Sequence, residues 1–204
     1  MKQFIPIPNK PSGKSSNTSY SFSSCDACES RCCHSNYGTI YSQIVLEDFS
    51  NYTYFPLLFT FGSKGYIKPV LLLTNGQDSC RYIKDHKCTI YSKRPKVCQN
   101  YPLSPNIDDT VYIDLACPGI SEEESSNNDF VEDFKKDSYV KDYKDLFVET
   151  YFEFENLKSK DFTKVFTIRN IDFYAYTKHS ENKYIKMHQS SLVHLEDEYF
   201  KNLK

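Results

Sequence analysis

The sequence predicts an α+β fold, a small cysteine-rich metal-binding domain with C-terminal amphipathic helices. Three observations carry this expectation. All eight cysteines of the 204-residue chain fall between Cys25 and Cys117, and none follows. Short apolar runs in the same region, such as Tyr66–Leu73 and Val111–Leu115, have the length of strands. Further on, Val140, Tyr143, Phe147, Tyr151 and Phe154 recur at spacings of three and four, one apolar face of a long helix.

Taken in order, residues 1–24 read as a mobile leader, because the stretch from Asn9 is rich in Ser, Asn, Lys and Pro. Ser23, three residues before Asp26, offers a helix start, and residues 25–33 are expected to form a short helix. A helix advances about 100° per residue, so Cys25, Cys28 and Cys32 would share one face while Cys33 projects from another side. Val45–Phe49 begins a second short helix. Tyr66–Leu73 is a largely buried strand, and Asn75-Gly76 a turn. Cys80–Cys88 suggests two short extended pieces around Lys84–Lys87, and Val111–Leu115 another strand. Ser121–Asp129 is acidic and polar, and is expected to be the connector between a domain spanning residues 25–120 and a mainly helical extension, 121–204. Within that extension, Phe166–Tyr176 reads as extended, and Leu192, Leu195, Tyr199 and Leu203 as a final helix.

Composition narrows the function. A chain of this length buries roughly 70% of its unfolded surface, so the cysteines are not needed to rescue a tiny core. With 17 Tyr, 15 Phe and no Trp, aromatic rings of the smaller kinds must supply its bulk. The net charge of −2 gives no global attraction to nucleic acid or to an acidic membrane. The apolar stretches are too short to span a bilayer, and the N-terminus lacks the apolar run of a secretory signal. The expected location is therefore the cytoplasm, with neither nucleic acid nor membrane as a partner. In that reducing compartment, clustered thiols favour metal over disulfides. Eight is an even number, however, and disulfides are the alternative.

The cysteines are arranged as a tight C-x2-C-x3-C-C box, Cys25, Cys28, Cys32 and Cys33, followed by Cys80, Cys88, Cys98 and Cys117. Thiolates are strong ligands for zinc and for cluster iron. A local group makes the first contacts at small entropic cost, and distant ligands close the site. All eight are candidate metal ligands, enough for one four-thiolate site or two. An iron–sulfur cluster, such as 4Fe-4S, is preferred over zinc, because thiols are in surplus and Cys117-Pro118 is like the Cys-Pro that ends a ferredoxin ligand run. Zinc proteins more often show paired C-x2-C knuckles, and only the first pair does so here.

The same residues carry a resemblance. The box, then Cys80-Arg81-Tyr82-Ile83, then the C-x-I-Y-x-x-R-P-x-x-C block from Cys88 to Cys98, then Tyr101-Pro102 and Cys117-Pro118-Gly119, resemble the YkgJ-type cysteine-cluster family, which is described as zinc- or iron-chelating. The resemblance covers about residues 25–120. It implies metal binding and leaves any reaction open. The family's first box often has two rather than three residues before the Cys-Cys pair. Flagellin lysine N-methylases share a related motif, which implies a lysine N-methyltransferase-like enzyme as one alternative. The six glycines form no G-x-G-x-x-G turn, and the order of cysteine spacings is not the C-x3-C-x2-C of radical S-adenosylmethionine enzymes.

Other candidates have plainer readings beside the functional one. Arg94 could hydrogen-bond cluster sulfur, or bridge to an acid while Pro95 fixes the turn; the structural role is favoured slightly. Tyr91 could exclude water from a metal site, or be an ordinary core aromatic. The basic residues between Arg81 and Lys96 read as a solvated face. His34 and His86, beside cysteines, are possible replacement ligands; His179, His188 and His194 are expected to be structural. No nucleophile–base pattern is visible, so catalytic residues are not assigned. Three function classes follow: a redox or cluster-dependent protein with a protein or electron-transfer partner, a zinc-stabilised interaction module, or the lysine-modifying enzyme.

Overall fold

The computed structural model describes residues 4–7, 18–24, 28, 30–34, 40–52, 55–62, 65–74, 79–105, 110–124, 130–136 and 138–198. It mixes helices and sheets in the α+β manner predicted.

The main sheet has five antiparallel strands. β3 (Tyr41–Gln43), β4 (Leu57–Phe61) and β5 (Ile67–Leu72) come from the cysteine-bearing part of the chain, and β11 (Phe162–Ile168) and β12 (Ile171–Tyr176) from the C-terminal part. Their spatial order is β11-β12-β4-β5-β3, with Tyr174 of β12 opposite Phe59 of β4. β4 and β5 are buried along almost their whole length, hence the continuous apolar runs Leu57–Phe59 and Val70–Leu72 rather than an alternation. The C-terminal region therefore supplies a hairpin to the sheet as well as helices. The turn of that hairpin is made by Arg169 and Asn170, both with positive φ, as two-residue hairpin turns require.

Helix α1 (Leu46–Asn51) begins at the predicted place. Asp48 Oδ2 accepts from the Val45 N–H at 3.2 Å, and the Leu46 N–H donates to Thr150 Oγ1 at 3.0 Å. Two of the donors a helix start leaves unpaired are satisfied in this way. Thr150 lies on the long helix α4 (Ser138–Phe154), which follows α3 (Phe130–Lys136). The buried face of α4 is shifted from the one expected: Tyr143, Thr150 and Phe154 are buried, whereas Tyr151 is exposed. Thr150 was not an apolar marker in sequence, yet its hydroxyl is needed inside to cap α1.

Helices α5 (Lys183–Ser191) and α6 (Val193–Glu198) end the described chain. Asn182 caps α5 by accepting from the N–H groups of Tyr184 and Ile185. His188 ties α5 to two strands: its Nε2 accepts from the Tyr176 N–H at 2.9 Å, and its Nδ1 donates to Leu57 O at 2.6 Å. It is fully buried, as a structural histidine. Around it lies an aromatic core, with Phe59 in edge contact with Phe154, Phe162 and the His188 ring.

Two expectations need correction. Parts of the expected leader are strands: β1 (Phe4–Ile7) pairs with β9 (Val111–Asp114), and β2 (Thr18–Phe22) pairs with β10 (Ile120–Glu124). The start of the acidic connector is therefore strand rather than linker. Opposing polar residues, Ser19 and Ser21 against Glu123 and Ser121, gave no apolar signal. Second, a helix continuous through residue 30 does not form, because Ser30 has φ 56°. A short 3-10 turn, Arg31–Cys33, follows it. Residues 25–27, Asn75-Gly76, Tyr199 and Leu203 lie outside the described residues.

Candidate metal centre

Four segments line two neighbouring cavities that share Cys28, Cys32 and Tyr101. The first is the 3-10 turn bearing Cys32 and Cys33. The second starts at Cys80, just beyond β5, and continues into a hairpin of β6 (Ile83–Lys84) and β7 (Lys87–Cys88). Asp85 and His86 form its turn with φ of 48° and 59°. The third is helix α2 (Lys96–Asn100), which carries Cys98 and starts after Pro95. The fourth follows β8 (Leu103–Pro105) and β9 and carries Cys117.

Local hydrogen bonds hold these segments together. The Cys80 N–H donates to Cys33 O at 2.8 Å, and Thr74 bridges to Cys80 across the strand end. Ser30 Oγ donates to His86 O, tying the hairpin turn to the first cysteine segment. Thr89 binds Tyr82 O through both its N–H (2.8 Å) and its hydroxyl (3.0 Å). Tyr52 of the core donates its hydroxyl to Lys93 O, anchoring the loop ahead of α2. Cys98 Sγ lies 3.9 Å from Ser42 Oγ on β3.

The sulfurs fall on two cavities. The larger, about 900 Å³, has Cys33, Cys80, Cys88 and Cys98 on its wall, with apolar cover from Ile40 and Leu73. The smaller, about 20 Å³, has Cys117, Tyr101 and Asp114 on its wall. Cys28 and Cys32 border both. Cys32 and Cys33 are neighbours, with their sulfurs 3.7 Å apart. Cys25 lies outside the described residues, so the shared helix face of Cys25, Cys28 and Cys32 is not described.

Thiol chemistry follows from this gathering. Cys33 is pushed up to about 12: its contact with Cys32 lowers it, but the hydrogen bond with Cys80, burial, and the nearby Cys80 and Cys98 outweigh that. Cys80 moves down, chiefly because Cys33 donates to it. The two thiols therefore titrate as an interacting pair rather than independently. Cys88 and Cys98 also act electrostatically on Cys80. Among the described residues, no three Cys, His, Asp or Glu side chains already enclose a common metal position. The sulfurs share a cavity wall rather than a finished coordination shell.

The neighbouring residues resolve several alternatives. Tyr91 is 54% exposed, so it is not a core aromatic. Arg94 stacks on its ring at 3.7 Å and donates from Nε to Tyr91 O at 2.9 Å, turning toward the ring where an acidic partner was expected. His34 and His86 stand with ring centroids 5.4 Å apart, and the buried His34 Nε2 has no hydrogen-bond partner among the described residues. The Tyr82 hydroxyl is likewise buried without one, in a residue that lines the larger cavity. Its burial, ahead of lesser effects from Arg81 and Cys80, raises its pKa and keeps it a donor. Sequence reading assigned no role to Tyr82, although it stands two residues after Cys80. It also passed over Tyr101 and Asp114, whose side chains meet at 3.1 Å beside Cys117. No spacing signal links those two, since only the fold of β8 against β9 brings them together.

Residues 24–118 match the family model described as "CxxCxxCC: Putative zinc- or iron-chelating domain". This is the cysteine-cluster family that the motifs resemble, and the matched segment contains all eight cysteines. Cysteine-based binding of zinc or iron is the chemistry this match supports. No curated protein and no solved structure matches the chain.

Proposed function

We propose that this protein binds an iron–sulfur cluster through Cys33, Cys80, Cys88 and Cys98 and uses it in a redox or cluster-dependent role. The observation that carries the reading is that six thiols from three separate segments share the wall of one cavity of about 900 Å³, and that Cys33, Cys80, Cys88 and Cys98 border it and not the smaller cavity. A single ion needs far less room. A polynuclear cluster needs both the space and an apolar shield, which Ile40 and Leu73 offer. The unpartnered Tyr82 hydroxyl fits the same reading, because a buried donor beside anionic sulfur gains a charge-assisted hydrogen bond.

When bound, such a cluster supplies one-electron chemistry. The protein's own residues anchor the sulfurs and hold Tyr82 as a donor. The exposed Tyr91 ring beside the cavity, with Arg94 stacked on it, would face an electron-transfer or other protein partner. Among the described residues no helix is long and apolar enough to cross a membrane, and a cytoplasmic location is part of the proposal.

The test is anaerobic purification followed by iron and acid-labile sulfide analysis with a visible spectrum. A brown protein bleached by dithionite supports the reading. A colourless protein with stoichiometric zinc in place of iron selects the zinc-stabilised module instead.

A further inference from the structure

Only part of the larger cavity's wall is sulfur. Three consecutive residues of β3, Tyr41, Ser42 and Gln43, border it as well. Successive residues of a strand point to opposite faces. A cavity that touches all three therefore runs along the edge of the strand and not over one face. β3 is the last strand of the five-stranded sheet and pairs on one side alone, with β5.

Register fixes which backbone groups that edge presents. The Ile44 N–H donates to Pro69 O at 3.1 Å, and the Leu73 N–H to Ile40 O at 2.9 Å. Antiparallel pairs alternate between hydrogen-bonded and open. Ser42, opposite Leu71, therefore turns its N–H and C=O toward β5, while Tyr41 and Gln43 turn theirs away. Gln43 O accepts from its neighbour Ser42 Oγ at 3.2 Å. The N–H and C=O of Tyr41 and the N–H of Gln43 have no partner among the described residues. An edge of this kind is a template for another strand.

Charge selects the guest. Lys87, Arg94 and Arg169 line the cavity together with His86, against the lone carboxylate of Asp85. Lys87 and Arg169 are exposed, so they stand at its mouth. The charges that chiefly act on Cys33 and Cys80 are those of other cysteines, so these cations are not engaged by that thiol pair. Val97 and Leu103 on the wall offer apolar seats for alternate side chains of a bound strand. At about 900 Å³ the cavity lies toward the top of the range for ligand pockets, which leaves room beside a metal centre.

We propose that the β3 edge is the docking site for an extended, acidic segment of a partner protein, which adds to the main sheet as a further strand inside the cavity. The N–H and C=O of Tyr41 and the N–H of Gln43 hold its backbone, and Lys87 and Arg169 attract its carboxylates. Main-chain bonds supply the affinity in this mode, and the charged mouth and apolar seats supply the choice of sequence. The proposal is independent of which metal the sulfurs bind.

The test selects binders from a displayed library of linear peptides on the full-length protein, purified without oxygen. Acidic sequences are expected, and a synthetic peptide of the selected sequence should bind less tightly as salt rises. Amide exchange should slow at Tyr41 and Gln43 when that peptide is added. Gln43→Pro removes the outward N–H without taking a bond from β5, a change that edge strands tolerate, and should abolish binding while metal content stays at the parent's level. Lys87→Glu combined with Arg169→Glu should weaken binding about tenfold, since two screened attractions become repulsions. That double variant gives the same readout should Gln43→Pro fail to fold. Basic or uncharged winners, protection that falls elsewhere, or binding unaltered in the variants overturns the proposal. A library that yields no binder also overturns it, whether or not a small anion such as citrate binds. So does a dimeric parent with Tyr41 and Gln43 already protected, which would assign the edge to a second copy. An iron-free protein that still binds the acidic peptide through these amides refutes the cluster reading alone and leaves the docking site standing.

Discussion

The Cys80 N–H donates to the Cys33 carbonyl at 2.8 Å, while the side chains of the same two residues share a hydrogen bond. Backbone and side chain thus join the first cysteine segment to the end of β5. This double link places a local motif and a distant one on the same cavity, and a metal bound there would lock the junction.

The first prediction follows from that junction. Cys33→Ala should abolish cluster retention as fully as Cys80→Ala or Cys98→Ala, although the helix-face reading expects Cys33 to be the mildest of its box. Iron content per chain, measured after anaerobic purification, checks it. Iron in Cys33→Ala equal to the parent would remove Cys33 from the site.

His188 makes stability depend on pH. Burial, opposed by the hydrogen bond to Leu57, lowers its pKa to about 4. The folded value lies below the unfolded value of about 6.5, so the unfolded chain binds more protons between the two. The stabilisation is complete above about pH 6.5 and is lost as pH falls toward 4, at a cost on the order of 3 kcal/mol. Asp48 works in the opposite direction. Burial raises it to about 6 against the hydrogen bond from Val45, so its contribution is lost as pH rises from about 4 to 6. Urea midpoints should therefore fall less on acidification in His188→Gln than in the parent, and more steeply in Asp48→Asn.

Thr150 gives a third prediction. Thr150→Val keeps the shape of the side chain but leaves the Leu46 N–H buried without an acceptor. The expected loss is about 1–3 kcal/mol, read as a lower denaturation midpoint. Tyr151→Ala, one residue on and exposed, should change stability much less.

The aromatic core supplies the fourth. Phe59 and Phe154 are fully buried and meet edge to face at 5.4 Å. Phe154→Ala should cost about 3–5 kcal/mol, from lost transfer energy and the cavity left behind. The variant should also loosen α4 from the sheet, seen as faster amide exchange in β4.

Much of this was readable from residue order. The strands at Tyr66–Leu73 and Val111–Leu115 and the long helix ending at Phe154 stand where apolar spacing put them, and the two short extended pieces expected around Lys84–Lys87 are the strands of a hairpin. The cysteine motifs pointed to metal chemistry, and the family match agrees. What escaped was non-local. The polar strand Ile120–Glu124 is held by pairing with Thr18–Phe22 and has no apolar alternation of its own to show. Ser30 breaks the expected helix through a left-handed backbone that its side chain alone does not announce. The division of the thiols between two cavities depends on how hairpin, helix and 3-10 turn pack, which spacing does not encode.

The decisive measurement is the visible spectrum of anaerobically purified protein before and after dithionite, read with iron and sulfide content. Ligation of a cluster by Cys33, Cys80, Cys88 and Cys98 predicts broad visible absorption that bleaches on reduction and is missing from Cys98→Ala. A colourless, iron-free parent that folds normally would contradict it.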